Sequence, residues 1–213
     1  MAKAITSVVF DLGGVLVDWN PDYLYRKLIP DEKERTFFLT QVCTRAWHFR
    51  HDLGVSFADN AEVLLQDYPN DPQMQSLIKA WGGRFGEMFN GAIDKSVDIL
   101  TELHDAGTPL YALTNWPAEC FPLIEGRFPF FSFFRDMIVS SVERVTKPDH
   151  RIYEILLERT KIDPHSTIYI DDLVENLVPA AALGFTTIHF TSPEALRAEL
   201  NRHKLPLLQR GAS

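Results

Sequence analysis

Five short runs of consecutive apolar residues recur along the chain, and none shows the polar alternation of a strand with one solvated face. Each run is rich in β-branched or aromatic residues. Strands of a parallel sheet that is covered on both faces have this pattern, because neither face meets water. We therefore predict buried strands over five segments: SVVF (Ser7–Phe10), PLYALT (Pro109–Thr114), DMIVSS (Asp136–Ser141), STIYID (Ser166–Asp171) and TTIHF (Thr186–Phe190).

Helical patterns lie between these runs in the second half of the chain. DKSVDILTELHDAG is predicted to be capped by Asp94 and to stop at Gly107, and SPEALRAEL has Ser192 at the cap position before Pro193. HRIYEILLERTK and ENLVPAAALG supply two further helices. From about Gly91 onward helices and strands alternate, which predicts an α/β fold with a Rossmann-like parallel sheet and right-handed crossovers.

The segment between the first two strands has a different pattern. Four stretches in it read as helices and none as a strand: PDYLYRKL, DEKERTFFLTQV, SFADNAEVLLQDY and DPQMQSLIKAWGGRFGEMF. Ser56 and Asp59 resemble a capping box at the start of the third stretch. We predict that residues 18–90 form an all-helical cap, inserted into a core made of residues 1–17 and 91–213.

The composition limits the classes of function. The 213 residues are 46% hydrophobic and carry a formal net charge of −8, which argues against binding nucleic acid or an anionic membrane surface. No apolar stretch reaches the roughly 18 residues of a membrane-spanning helix, and the N-terminal run is too short for a signal peptide. Cys43 and Cys120 form no CxxC pair and are predicted to be small buried residues. We expect a cytoplasmic monomer or homodimer.

Polar side chains follow the predicted strands at the edge where open α/β sheets bind their ligands. They are Asp11, Thr114, Asn115, Lys147, Asp171 and Asp172. One aspartate at a strand end commonly caps a turn, but functional groups at four strand ends are improbable for packing alone. Burying two adjacent carboxylates is costly without a counter-charge. A divalent cation that prefers hard oxygen ligands, such as Mg²⁺, would supply that charge.

Four segments in this order resemble the motifs of the haloacid dehalogenase-like hydrolase superfamily, over nearly the whole chain. They are FDLGGVL with Asp11, LTN with Thr114, KPDHRIY with Lys147, and YIDDLVENLVPAAALGF with Asp171 and Asp172. The helical insertion is similar to the mobile cap of many members. The resemblance implies a Mg²⁺-dependent phosphatase that acts on a small phosphorylated metabolite, and we expect a sugar phosphate of the glucose-1-phosphate type.

The same resemblance implies a role for each residue. Asp11 would be the nucleophile that forms an aspartyl-phosphate, and Lys147 would neutralise charge on the nucleophile and the phosphate. The metal ligands would be the Asp11 carboxylate, the Gly13 carbonyl and Asp172, with Asp171 acting through a water. The residues expected to contact the substrate are Thr114, Asn115, Lys147, Gly13 and Gly14.

Gly13 departs from the family pattern, because these phosphatases usually have a second aspartate at this position. That aspartate protonates the leaving oxygen and later activates water, and such proton transfer contributes roughly 10²–10⁴-fold. Two explanations are favoured together: a leaving group that departs readily, as in an anomeric sugar phosphate, and a proton donor in the cap such as His48 or His51. DLGGVLVD also resembles a subgroup of sugar-phosphate phosphatases that keep glycine here.

Two other functions compete with this one. A metal-independent 2-haloacid dehalogenase also lacks the second aspartate, but the dehalogenases resembled here have serine and asparagine where this chain has Asp171 and Asp172. A phosphate-binding domain that has lost turnover is disfavoured, because the predicted nucleophile, lysine and metal pair all remain. Trp19, Arg50 and Trp116 are candidate pocket residues.

Overall fold

A computed structural model of the chain describes residues 3–124 and 126–208. Residues 1–2, 125 and 209–213, which our domain prediction assigns to the core, lie outside the described residues. The described strands form a five-stranded sheet and a separate two-stranded ribbon. In chain order they are β1 (Ser7–Phe10), β2 (Val17–Trp19), β3 (Phe89–Ala92), β4 (Leu110–Thr114), β5 (Asp136–Val139), β6 (Thr167–Asp171) and β7 (Thr186–His189).

Helices occupy most of the remaining described chain, five of them before β3 and five after it. They are α1 (Asp22–Leu28), α2 (Glu32–Phe37), α3 (Arg45–Asp52), α4 (Phe57–Leu65), α5 (Pro72–Gly83), α6 (Asp94–Asp105), α7 (Ser140–Glu143), α8 (His150–Thr160), α9 (Val174–Ala182) and α10 (Pro193–Arg202). A π-helical segment, Phe38–Val42, continues α2.

The large sheet is parallel throughout and has the strand order β5-β4-β1-β6-β7. β1 lies at its centre, where Val9 pairs with Tyr111 of β4 and Tyr169 of β6. Every residue of β1, β4 and β6 is buried, as expected for a sheet covered on both faces. The predicted α/β fold with a Rossmann-like parallel sheet is confirmed.

The third predicted strand is too long by two residues. β5 ends at Val139, and Ser140 and Ser141 begin α7. Their hydroxyls accept hydrogen bonds from the backbone amides of Trp116 (3.0 Å) and Ala118 (2.8 Å). The two serines therefore support the loop after β4 instead of extending the sheet.

The ends of several helices agree with the sequence signals. The Ser192 hydroxyl accepts from the Ala195 amide at the start of α10, and the Ser56 hydroxyl accepts from the Asp59 amide at the start of α4. Asp94 is the first residue of α6 and makes no side-chain cap, contrary to expectation. No described helix has both the length and the apolar composition needed to cross a membrane.

Two short strands lie where we predicted only helices. β2 and β3 pair antiparallel at the two ends of the segment that we predict to be a cap, with Asp18 opposite Gly91. Each strand has only three or four residues, and Asn90 and Gly91 disfavour strand formation in isolation. Tertiary pairing between distant segments therefore creates this ribbon, which the local pattern does not reveal.

The junction between α3 and α4 is fastened to the core by hydrogen bonds. Arg144 donates to the Gly54 carbonyl (2.9 Å), and the Phe57 amide donates to Glu119 (2.6 Å). Gly54 has a positive φ of 84°, and a Cβ there would lie 2.5 Å from the Ser141 carbonyl oxygen. These close contacts hold the C-terminal end of α3 over the carboxyl edge of the sheet.

Candidate active site

Asp11 is the residue that directly follows the central strand β1. Its amide donates to the Ile170 carbonyl (2.9 Å), so it continues the sheet ladder, while its side chain lies at the carboxyl edge. The Leu12 amide donates to Asp11 Oδ1 at 2.7 Å. Asp11 is 7% exposed and faces a cavity, which places a carboxylate with one restrained oxygen at the centre of the site.

Lys147 lies between two of the predicted carboxylates. Its Nζ atom is 2.9 Å from Asp11 Oδ1 and 2.7 Å from Asp171 Oδ2, and it also donates to the Leu113 carbonyl (3.0 Å). The loop that carries Lys147 is held by Asn115, whose Oδ1 accepts from the Lys147 amide (2.8 Å) and whose Nδ2 donates to its carbonyl (3.0 Å). The structure thus gives Asn115 a positioning role.

Asp171 is fully buried and receives four hydrogen bonds. Oδ2 accepts from Lys147 and from the Tyr169 hydroxyl (2.7 Å each), and Oδ1 accepts from the Leu173 amide and from Asn176 Nδ2 (2.9 Å each). Two donors on each oxygen use the hydrogen-bonding capacity of a carboxylate. Asp171 therefore orients Lys147 and the start of α9, and has little capacity left for a water-mediated metal contact.

Asp172 and Asp11 are the carboxylates that remain available to a cation. Oxygens of Asp11, Asp171 and Asp172 lie within 4.8 Å of one another. The Asp172 carboxylate lies against Gly14, where an added Cβ would be 2.6 Å from Oδ2, and Gly14 has a positive φ of 74°. The Gly14 amide donates to the Val17 carbonyl (2.9 Å), so its hydrogen is not directed at a substrate. Gly14 thus permits the close approach of Asp172.

Burial opposes the negative charge of this cluster. It raises the pKa of Asp11 to about 7 despite the attraction of Lys147, and it raises the pKa of Asp172 with assistance from the Asp171 charge. For Asp171 the opposing effects of Lys147 and its hydrogen bonds outweigh burial, so its pKa lies below the usual value. One ammonium does not balance three carboxylates. All-oxygen donors with an uncompensated charge fit a hard divalent cation such as Mg²⁺.

Gly13 and Thr114 offer space and a hydrogen-bonding group beside Asp11. A Cβ added at Gly13 would meet no atom within 4 Å, and Gly13 does not have a positive φ. Thr114 ends β4, and its buried Oγ1 has no partner among the described residues. Both features fit a site in which a ligand oxygen lies near the ends of β1 and β4.

A cavity of about 870 Å³ opens between the strand ends and the helical segment 18–90. Of the predicted site residues, Asp11, Gly13, Gly14, Asn115, Lys147 and Asp172 line it, whereas Thr114 and Asp171 do not. Its base is polar, but its walls are largely aromatic or aliphatic. The wall residues include Trp19, Leu39, Phe49, Trp81, Phe85, Phe89 and Trp116. Trp19 and Trp116 thus lie where we expected them. Arg50 does not line the cavity, whereas Arg45, at the start of the same helix α3, does so and pairs with Glu175 (3.0 Å).

Of the two cap histidines expected as proton donors, His51 is buried, whereas His48 is partly buried, with 14% of its side chain exposed. His51 is hydrogen-bonded through both ring nitrogens, to the Val55 carbonyl (3.2 Å) and to Asn60 Nδ2 (3.1 Å). His48 lines the cavity and stacks against Trp19. Burial lowers the pKa of His48 to about 3 and that of His51 to about 4, so both rings are neutral near pH 7.

Two cavity residues escaped the sequence analysis. Asn176 was detectable, since it stands four residues after Asp172 in the motif segment, and it donates to Asp171. Asp52 ends α3 and is 7% exposed, and its Oδ1 has no hydrogen-bond partner among the described residues. Nothing in the pattern around Asp52 marks it as a site residue.

Cys43 and Cys120 are buried as predicted, and burial raises the pKa of both thiols.

The geometry and the family comparison agree. The profile of the haloacid dehalogenase-like hydrolases matches residues 5–184, and the chain belongs to this family. It is similar to the sesquiterpene phosphatase astK of Aspergillus oryzae, with 27% identity over 95% of this chain and 98% of that protein. It is also similar to a D-ribitol-5-phosphate phosphatase of Bacteroides thetaiotaomicron, with 24% identity over 92% and 97%.

A solved structure supports the fold. A haloacid dehalogenase family enzyme from Bacteroides thetaiotaomicron, crystallised as a magnesium complex, superposes with a TM-score of 0.69 at 20% identity. The match covers 89% of this chain and 94% of that one. The predicted family is therefore confirmed, and the chain is a hydrolase whose relatives include phosphatases.

Proposed function

We propose that this protein is a Mg²⁺-dependent phosphatase that hydrolyses a phosphate monoester through an aspartyl-phosphate on Asp11. The observation that carries the proposal is the placement of Lys147 between Asp11 and Asp171, with Asp172 beside them across Gly14. This arrangement puts a nucleophile, a fixed positive charge and a cation site at one sheet edge. Positioning and electrostatic stabilisation are what phosphoryl transfer requires.

In the first step an Asp11 oxygen bonds to phosphorus as the bond from phosphorus to the ester oxygen breaks. Lys147 holds the other carboxylate oxygen of Asp11 and stabilises charge that develops on the phosphoryl group. The Thr114 hydroxyl donates to a phosphoryl oxygen. In the second step a water oxygen bonds to phosphorus, the bond to Asp11 breaks, and inorganic phosphate leaves.

Mg²⁺, when bound, neutralises phosphoryl charge and draws the phosphate toward the nucleophile. Asp11, the Gly13 carbonyl and Asp172 would hold it. We assign Asp171 to the positioning of Lys147, because its four hydrogen bonds leave little capacity for a further contact. A structure of the same fold crystallised as a magnesium complex supports Mg²⁺ as the cation.

The cavity walls favour an apolar leaving group. Aromatic rings line the cap side, and a sugar would leave most of its hydroxyls without partners there. The similarity to a sesquiterpene phosphatase points the same way. Phosphates of apolar alcohols are thus the first candidates. Phosphates of sugars or sugar alcohols are the second, supported by the similarity to a D-ribitol-5-phosphate phosphatase and by the motif around Gly13.

One assay separates these functions. Release of inorganic phosphate is measured for decyl phosphate, an anomeric sugar phosphate and ribitol phosphate, with Mg²⁺ and with excess EDTA, beside chloride release from a 2-chloro acid. We expect phosphate release only with Mg²⁺, and the highest kcat/KM for decyl phosphate. Chloride release in EDTA would establish the dehalogenase instead. Binding of phosphate without turnover of any ester would indicate the non-enzymatic domain.

We also propose that residues 18–90 act as a lid over the cavity. Only the β2 and β3 segments connect this block covalently to the core. Closure would exclude water from the reacting groups. Hydrogen exchange in the block should slow when vanadate, a phosphate analogue, is bound, and unchanged exchange would contradict the lid role.

A further inference from the structure

Asp52 is a cavity carboxyl group that lies outside the predicted acidic cluster. It is the last residue of α3, on the cap, and it lines the same cavity as Asp11, Lys147 and Asp172. It is 7% exposed. An aspartate is seldom this buried unless its carboxyl group is paired or hydrogen-bonded.

The hydrogen-bonding capacity of Asp52 is not used by the fold. Its Oδ1 atom is buried, and the described residues provide it with no hydrogen-bond partner. The nearest basic group is His48 Nε2 at 3.8 Å, which is too long for a hydrogen bond. Because burial keeps His48 neutral, this contact is not an ion pair. Most buried acceptors in folded proteins have a hydrogen-bond partner, so an unpaired carboxylate oxygen that faces a cavity points to a partner supplied by a ligand.

The surroundings of Asp52 allow it to carry a proton near neutral pH. Burial raises its pKa to about 7, since desolvation outweighs the opposing effect of Lys147, and the charge of Asp11 adds to the rise. The position at the C-terminal end of α3 acts in the same direction, because the carbonyl end of a helix repels a negative charge. A group that exchanges its proton near the working pH suits general acid–base catalysis.

The position of Asp52 is fixed from both sides of the cap–core boundary. Two residues after it, the Gly54 carbonyl accepts from Arg144 of the core (2.9 Å), and Phe57 is held by Glu119 (2.6 Å). In this arrangement, which corresponds to the closed position of the proposed lid, these contacts tie the end of α3 to the loops that follow β4 and β5. Such anchoring is what a proton donor needs to meet a bound substrate in one geometry.

Other described groups are less suited to the task. Gly13 has no side chain, and the space beside it is open. His51 uses both ring nitrogens in hydrogen bonds. Glu175 lies at the exposed rim and pairs with Arg45. His48 has a free Nδ1 but is neutral, and a neutral imidazole is a weak acid.

We propose that Asp52 is the general acid and general base of this site, acting from the cap in place of the residue that is absent at Gly13. The inference rests on the proposed phosphatase function. In the first step the Asp52 carboxyl group gives its proton to the departing ester oxygen, so an alcohol leaves rather than an alkoxide. In the second step the Asp52 carboxylate takes a proton from the attacking water and is restored.

The test compares two esters that differ in their need for an acid. Butyl phosphate has a poor leaving group, whereas 4-nitrophenyl phosphate releases a stable phenolate. The quantity compared is kcat/KM, which reports the steps up to departure of the leaving group and excludes the later hydrolysis of the aspartyl-phosphate that both esters share. For Asp52→Asn we expect kcat/KM to fall about 10²-fold or more for butyl phosphate and less than about fivefold for 4-nitrophenyl phosphate. The matched control is Asp59→Asn, the same change at an exposed cap residue on α4, which should leave both rates unchanged.

Each outcome bears on a different claim. A selective loss on butyl phosphate supports the inference, since a structural defect would lower both rates alike. An equal loss in kcat/KM on both esters, with the Tm of the variant unchanged, overturns it, as does an unchanged kcat/KM on butyl phosphate. If the unmodified protein hydrolyses neither ester with Mg²⁺ present, the proposed phosphatase function fails instead. Should Asp52→Asn fold poorly, the same ratio measured for Asp52→Ser decides the question.

Discussion

The carboxyl edge of the sheet and helix α3 face each other across one cavity, but they differ in how far their buried polar groups have hydrogen-bond partners. At the sheet edge Asp171 has four donors and Lys147 contacts two carboxylates, although Thr114 Oγ1 there has no partner among the described residues. On α3 the buried Asp52 Oδ1 and His48 Nδ1 have no partner among the described residues. A satisfied network holds its members rigidly, whereas an unsatisfied group is costly unless a ligand completes it. Under the proposed function, the core is the part that positions the phosphate, and the substrate supplies the missing partners on α3.

The strongest challenge to this comparison is removal of the nucleophile. Asp11→Asn should lower turnover about 10³-fold or more, because a neutral amide is a poor nucleophile. The Tm should change little in EDTA, since burial already disfavours the charge of Asp11. Rates are measured on 4-nitrophenyl phosphate, and melting by circular dichroism. Turnover near that of the unmodified protein would show that Asp11 is structural.

Replacing the two adjacent aspartates should affect two different properties, the stability of the fold and the affinity for Mg²⁺. Asp171→Asn breaks a buried ion pair and leaves donors unmatched, and should destabilise the fold by about 3 kcal/mol, or roughly 6–12 °C in Tm. Asp172→Asn should leave the Tm in EDTA nearly unchanged and weaken Mg²⁺ binding at least about tenfold, as followed by calorimetry. If Asp172→Asn destabilised the fold and Asp171→Asn weakened Mg²⁺ binding, the two roles would be exchanged.

The same contrast explains what the sequence predicts. The strands and their polar ends were predictable, because a buried parallel strand is an apolar run that stops at its functional residue. Asp11, Asp171 and Lys147 could be placed together for this reason, as the 2.7–2.9 Å contacts of Lys147 now show. The role of Asn115 in holding the Lys147 loop was not predictable, since its reciprocal hydrogen bonds to the Lys147 backbone join residues far apart in the chain.

Helix α3 escaped prediction because its buried face is partly polar. RAWHFRHD has no apolar stripe, for His51 and Asp52 are buried whereas Phe49 is exposed. Periodicity detects helices that bury hydrocarbon, and it misses one that buries titratable groups for a functional reason. The cap histidines were therefore reasonable candidates from the sequence, and only the three-dimensional arrangement distinguishes Asp52 from them.

A pH-dependent stability measurement sharpens the contrast at Asp52 itself. Because burial raises its pKa to about 7, the folded protein binds more protons here than the unfolded chain between about pH 4 and 7. The contribution of Asp52 to stability is therefore full below that window and is lost as the pH rises through it. Asp52→Asn should be more stable than the unmodified protein at pH 8, by about 4 kcal/mol or roughly 8–16 °C in Tm, and the difference should vanish near pH 4.

The comparison of the two proteins isolates one titration when it is made in EDTA. The other charged or titratable groups that face Asp52 are present in both: Lys147, Asp11, Arg45, His48 and Cys120. A Tm difference that stayed constant from pH 4 to pH 8 would mean that Asp52 does not gain a proton in the folded state.

The smallest expected effect tests whether a carboxyl group on the core, at position 13, can replace Asp52 of the cap as the proton donor. Gly13→Asp should be accepted, because a Cβ there meets no atom within 4 Å and the backbone φ is not positive. If Asp52 already supplies the proton, the single variant should raise the butyl phosphate rate no more than about threefold. In the Asp52→Asn background the same change should raise the butyl phosphate rate at least about tenfold, because the new carboxyl group returns an acid to the ester oxygen.

A large gain in the single variant would instead show that no acid acts in the unmodified protein. Equal gains in both backgrounds would mean that the two positions act independently, and the contrast between a pre-paired core and a proton-donating cap would not hold.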